Sequence, residues 1–231
     1  MTERYWAVIP AAGVGRRMGS GIPKQYLPLC GKTVIEQTIG SLLEHPAIAK
    51  VVVALSAKDG WWSGTAYANH PQVMRATGGE ERCHSVLNAL VVLAGEANPE
   101  DWVLVHDAAR PCLRPDDLSL LIETLRGHPA GGLLGMPVRD TMKRTDALNG
   151  VKETVSRERL WHAYTPQMFR LGLLRKALSE ALARGDLVTD DASAMELAGH
   201  IPLMVEGQAG NIKITQPEDL ELARFYLEFR S

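Results

Sequence analysis

The chain has 231 residues, of which 45% are hydrophobic and 23% charged, with a formal net charge of −2. That length builds a sizeable core without disulfide or metal staples, and the balanced charge gives no general case for nucleic acid or an anionic membrane surface. Cys30, Cys83 and Cys112 are odd in number, far apart and without a Cys-x-x-Cys pair, which argues against a disulfide framework and a zinc ribbon.

The N-terminus is no signal peptide and no apolar run approaches membrane-spanning length, so the expected compartment is a reducing cytoplasm. Tyr5 to Ile9 is an apolar run that predicts a buried first strand. It opens into a glycine-rich loop, Pro10 to Lys24. Glycines let backbone N–H groups approach phosphates closely. The loop also carries Arg16, Arg17 and Lys24. Backbone binding of a pyrophosphate does not need so much fixed charge, which points to chemistry at a triphosphate. A P-loop fails, because the position five before Gly31-Lys32-Thr33 is Tyr26. The dinucleotide fingerprint fails too, because Gly19 follows Gly13-x-Gly15 one residue too late.

Thr33-Val-Ile-Glu36 is a capping box and predicts a helix to about Leu43, stopped by His45-Pro46. Val51 to Leu55 reads as a buried strand, residues 58 to 70 as a helix, and Val73 to Ala76 as a short strand. Gly78-Gly79 then precedes a helix beginning near Ser85. The pair is either the second wall of a nucleotide pocket or a plain turn and cap. Trp102 to His106 is a strand ending in Asp107-Ala-Ala-Arg110. Ligands of open parallel sheets bind beyond the carboxyl ends of strands. There Asp107 suits Mg²⁺ beside phosphate oxygens and Arg110 a second phosphate, unless the two merely form an ion pair closing the turn. His106 reads as a packed strand-end residue.

Pro115 to Arg126 predicts a helix and Gly131 to Pro137 another buried strand. Alternating strands and helices imply an α/β fold, a Rossmann-like, mostly parallel sheet with helices on both faces. The alternation breaks over 138–160, where Asn149-Gly150 separates two polar, Thr/Val-rich stretches, the signal of a hairpin. It is either a surface excursion or an arm that packs on a second subunit. Leu171 to Arg184 reads as a helix, and Thr189-Asp190-Asp191 as the capped start of another, its acids complementing the dipole. Pro202 to Glu206 and Asn211 to Thr215 read as strands, with Lys213 on the face opposite Ile212 and Ile214. Thr215-x-x-Glu218 caps a last helix running to about Phe229. No repeat or linker appears, so residues 1–231 read as one domain with 138–160 inserted.

Pro-Ala-Ala-Gly-x-Gly-x-Arg-Met followed by Pro23-Lys24-Gln25 resembles the signature loop of sugar-phosphate nucleotidyltransferases. Lys24-Gln25-Tyr26-Leu27 narrows the resemblance to cytidylyltransferases acting on polyol phosphates. Gly-Gly-x-x-Arg-x-x-Ser-Val, Thr165-Pro166-Gln167 and Asn211-Ile-Lys-x-Thr215 extend it over Pro10 to Asp219. It is nearest to the 2-C-methyl-D-erythritol 4-phosphate cytidylyltransferase family, with ribitol-5-phosphate enzymes as the alternative. The resemblance implies the nucleotide-diphospho-sugar transferase fold and a homodimer formed by exchanging the 138–160 arm. It implies CTP and a polyol phosphate as substrates and Mg²⁺ or another divalent cation near Asp107. Arg17 and Lys24 are then catalytic. Arg110, Thr141, Arg157, Thr165 and Lys213 take the incoming phosphate. Pro10, Ala11, Ala12, Gly13, Gly15, Gly79, Ser85 and Ala108 frame the nucleotide. A fused downstream cyclase, present in some relatives, is not expected. An oxidoreductase is disfavoured by the failed fingerprint, and an inactive nucleotide sensor by the retained Arg17 and Lys24.

Overall fold

The computed structural model describes residues 4–13, 21–186 and 188–229. Arg17 and Gly15 therefore lie outside the described residues. Strand β1 (Tyr5–Pro10) sits near the middle of a seven-stranded sheet with β4 (Ile48–Leu55), β5 (Val73–Thr77), β6 (Trp102–Val105), β7 (Gly132–Pro137), β10 (Trp161–Arg170) and β11 (Leu203–Glu206). The order is β11-β7-β10-β6-β1-β4-β5, and β10 runs antiparallel to both of its neighbours while the other pairs are parallel.

The central strands are apolar throughout because both of their faces are covered. Tyr5, Ala7 and Ile9 of β1 pack with Val51 and Val53 of β4 on one side, under helices α1 (Val34–Leu43) and α3 (Pro115–Leu125). Trp6 and Val8 join Val52 and Val103 on the other, under α2 (Arg82–Leu93), α4 (Leu171–Arg184) and α5 (Asp191–Leu197). A third cluster seats α6 (Glu218–Glu228) against Leu29, Val34, Ala109 and Ile214. The capping box of α1 forms as expected: Glu36 Oε2 accepts from Thr33 N at 2.7 Å and Thr33 Oγ1 from Glu36 N. Two short strands, β2 (Pro28–Leu29) and β3 (Lys32–Thr33), lead into it.

The hairpin forms from β8 (Met142–Thr145) and β9 (Val151–Val155). Its turn spans Asp146 to Gly150, with Asn149 at φ 64° and Asp146 Oδ1 accepting from Leu148 N and Gly150 N. Leu148 is 91% exposed, so the hairpin stands off the sheet.

Three expectations fail. Residues 58–70 form only a 3₁₀ turn, Trp62–Gly64. Asp59 Oδ1 captures the N–H groups of Trp61 and Trp62, a local competitor to the helix. Residues 211–215 are not a strand, because their neighbour is the loop after β6, met by one bond from Ile214 N to Ala109 O. Thr215 pairs with Asp219 rather than Glu218; Asp219 Oδ2 accepts from Thr215 N, Thr215 Oγ1 and Gln216 N. The Thr165-Pro166-Gln167 block belongs to β10, whose ladder to β7 is interrupted between Ala163 and Gln167.

Candidate active site

The carboxyl ends of β1 and β6 and the β5–α2 loop enclose a cavity of about 270 Å³. Pro10, Ala11, Ala12, Gly13, Gly79, Ser85 and Ala108, the described residues that the resemblance assigns to a nucleotide, line this one cavity together with Lys24, Asp107 and Lys213. Gln25 braces the descending loop, donating to the carbonyls of Ala11 (2.9 Å) and Gly13 (3.1 Å). Gly78 brings the opposite wall close; a Cβ there would lie 2.3 Å from Ala12 Cβ. Ser85 Oγ accepts from Gly79 N at 3.0 Å, so its hydroxyl holds the loop as well as facing the cavity. Lys24 Nζ donates to Ile214 O at 2.9 Å, which ties the first loop to the segment bearing Lys213.

A second cavity adjoins the first through Arg82, Asp107 and Lys213, and is also lined by Arg110 and Thr165. Asp107 is the hub. Its Oδ1 accepts from Arg82 Nε at 3.1 Å, while its Oδ2 meets Lys213 Nζ at 2.9 Å and Arg110 Nε at 3.5 Å. Burial alone raises a carboxyl pKa, but Arg82 and Lys213 override it and hold Asp107 well below the usual carboxylate range. Arg82 Nη2 also donates to Asp191 Oδ2 at 2.8 Å. Arg110 lies over the Tyr164 ring and donates to Asn211 O at 2.7 Å. Thr141 and Arg157 line neither cavity; Arg157 donates to the Arg139 carbonyl at the base of the hairpin.

Arg82, Asp191 and Asn211 received no role in the site from the sequence. The signal for Arg82 was an arginine at the start of an inward-facing helix, which demands acidic partners. One of those partners lies 109 residues away. His106 is fully buried, and burial lowers its pKa to about 4. The unfolded chain binds that proton from about pH 6.5 downward, so stability falls as pH drops through this window. Urea unfolding should show a loss of about 2 kcal/mol between pH 7 and pH 5 from this group. His106→Phe should flatten that part of the profile.

A mostly parallel sheet whose first strand opens into a loop bearing Lys24, facing a second cationic cluster around Asp107, defines a nucleotidyltransferase of the α/β class. Within that class the chain belongs to the IspD family, 2-C-methyl-D-erythritol 4-phosphate cytidylyltransferase, whose model matches residues 5–229. It is 55% identical over 221 residues to the protein of that name from Vibrio vulnificus strain YJ016, covering 96% of this chain and 93% of the relative. A Pseudomonas fluorescens SBW25 relative of the same name is 54% identical over 228 residues, covering 97% of each chain. The crystal structure of the Francisella tularensis enzyme superposes with a TM-score of 0.85 at 39% identity, over 97% of this chain and all of that one.

Proposed function

We propose that this chain transfers CMP from CTP to 2-C-methyl-D-erythritol 4-phosphate, giving 4-diphosphocytidyl-2-C-methyl-D-erythritol and pyrophosphate, a step of non-mevalonate isoprenoid synthesis. The observation that carries the mechanism is the pair of adjoining cavities, with Lys24 on one, Arg110 on the other, and Asp107 and Lys213 on both. Two anions have to meet. A phosphate oxygen of the polyol attacks the α-phosphorus of CTP in line, and the bond from that phosphorus to the pyrophosphate oxygen breaks. The attacking phosphate is already ionised near neutral pH, so no general base is required. Positioning and charge stabilisation supply the rate. Arg17 and Lys24 act on the α-phosphate, and Arg110 and Lys213 receive the incoming phosphate. Backbone from Pro10 to Gly15, with Gly79, Ser85 and Ala108, frames cytosine and ribose.

The donor chemistry also fits Mg²⁺ or another divalent cation. Asp107 is an ionised oxygen donor on the wall that both cavities share, and Mg²⁺ takes one or two carboxylates together with substrate phosphates. Asp107 would hold it, giving up one of its present cationic partners, and the ion would neutralise triphosphate charge.

Thr141 and Arg157 then come to the phosphate from the arm of a second subunit, which makes the protein a homodimer. Replacing Met142–Val155 by a short Gly-Ser turn should give a monomer by sedimentation that retains its fold and loses turnover. An excised protein still dimeric and active would sink this reading. The cytoplasm is the compartment that suits Cys30, Cys83 and Cys112 as thiols.

Pyrophosphate release from CTP with Mg²⁺, comparing methylerythritol phosphate with ribitol phosphate, is the test. Release with the first alone is expected. Release with ribitol phosphate alone would keep the mechanism and change the substrate. Release with neither would overturn the reading.

A further inference from the structure

The ring of His106 lies against the loop that carries Asp107 and Arg110. It has no exposed surface, and its backbone N–H is tied to Val8 O at 2.8 Å. Its Nε2 lies 2.9 Å from the carbonyl oxygen of Arg110. A carbonyl only accepts, so Nε2 carries a proton. A ring with no exposed surface that carries its one proton on Nε2 presents a lone pair at Nδ1. The neighbour of Nδ1 at 2.9 Å is Thr165 Oγ1, so the hydroxyl donates. The same oxygen accepts from Asp107 N at 3.1 Å. The directions at the two ring nitrogens follow from the carbonyl that faces Nε2 together with the burial of the ring, and the Asp107 amide can only donate.

We propose that His106 is a positioning residue, and that with Thr165 it fixes the spacing of Asp107 and Arg110 and sets the direction of the Thr165 hydroxyl. One end of the ring holds the Arg110 carbonyl, and the other holds Thr165, which in turn holds the Asp107 amide. The loop between them is closed by Arg110 N to Asp107 O at 3.0 Å. Asp107 and Arg110, which both meet the second cavity, are thereby referred to one buried ring. The proton of Thr165 is committed to that ring. What Thr165 offers the cavity is a lone pair, which suits a hydroxyl of the polyol and gives no bond to an ionised phosphate oxygen. This replaces the phosphate contact that the family resemblance implies for Thr165. The inference rests on the cytidylyltransferase reading above, because it assigns the second cavity to the polyol phosphate.

Two measurements test it. In protein labelled with nitrogen-15 histidine, long-range proton–nitrogen correlation reads the tautomer of His106, assigned by the resonances that vanish in His106→Phe. A proton on Nε2 and none on Nδ1 at pH 7 is expected; a proton on Nδ1 would overturn the proposal. The second measurement is steady-state pyrophosphate release by Thr165→Val and Thr165→Ser. Thr165→Val should raise the KM for the polyol phosphate about tenfold, as for one lost hydrogen bond, and lower kcat, with the KM for CTP within about twofold of wild type. Thr165→Ser should restore most of both. Losses confined to the folded fraction, with both KM values unchanged, would reduce the pair to structural packing and overturn the proposal. A wild-type enzyme inactive with CTP and either polyol phosphate would instead sink the functional reading, and the tautomer would then decide the hydrogen-bond directions by itself.

Discussion

Lys24→Ala is expected to lower kcat for pyrophosphate release by about 10²–10³-fold, the scale of losing one donor aimed at transition-state charge. As the polyol phosphate oxygen approaches the α-phosphorus, negative charge gathers on non-bridging oxygens in a cavity already crowded with anions. Lys24 stands on the wall of that cavity, on a one-turn 3₁₀ segment, Lys24–Tyr26. Its ammonium rests on the Ile214 carbonyl, a neutral acceptor that a phosphate outcompetes. The fold should not suffer, because the turn is held by its other two residues. Gln25 binds the carbonyls of Ala11 and Gly13, and the Tyr26 hydroxyl donates to Asp59 Oδ2 at 2.8 Å. Urea unfolding of the variant should therefore match wild type within about 1.5 kcal/mol, the scale of one lost hydrogen bond from a half-buried side chain. The KM for CTP should change far less than kcat, because the interaction strengthens only as charge develops. A turnover within a factor of two of wild type would remove Lys24 from the catalytic set.

The readability of this chain tracks how local each determinant is. β1, β4 and β6 are legible because strands buried on both faces appear as unbroken apolar runs, and the α1 cap because its partners are three residues apart. The glycine-rich stretch stands out in the sequence because glycines and cations directly after a strand have few other uses. β10 is not legible. Its inner end, Tyr164-Thr165-Pro166, carries polar groups for the site and a proline that reads against a central strand. Its antiparallel course is decided by the gap between β6 and β7, which no local pattern encodes. The hub at Asp107 was half legible. The sequence marks Asp107 and Arg110 as a functional pair, yet it does not reveal that Arg82 and Lys213 converge on Asp107 from two other segments, or that the ring of neighbouring His106 turns back under the same loop.

Arg82→Ala should destabilise the protein by about 3 kcal/mol, the lower end of the cost of removing one partner from a buried ion pair. Arg82 keeps about a quarter of its side chain exposed, but Asp107 and Asp191 do not share that access to water. Asp107 would keep Lys213 and Arg110. Asp191 is the vulnerable member: it is fully buried, its Oδ1 has no hydrogen-bond partner, and its Oδ2 is bound by Arg82. Burial already raises its pKa, against the opposing pull of Arg82. Without the guanidinium the pKa should rise further, so Asp191 should fold as the neutral acid. A carboxyl whose folded pKa is raised favours the folded state at low pH and loses that contribution as pH rises through the folded value. The deficit of Arg82→Ala should accordingly be larger at pH 8 than at pH 5 in urea unfolding. Asp191→Asn placed in the Arg82→Ala background should recover much of it, because an amide needs no counter-charge. A deficit below about 1 kcal/mol, independent of pH and not relieved by Asp191→Asn, would mean that Arg82 does not neutralise this pair.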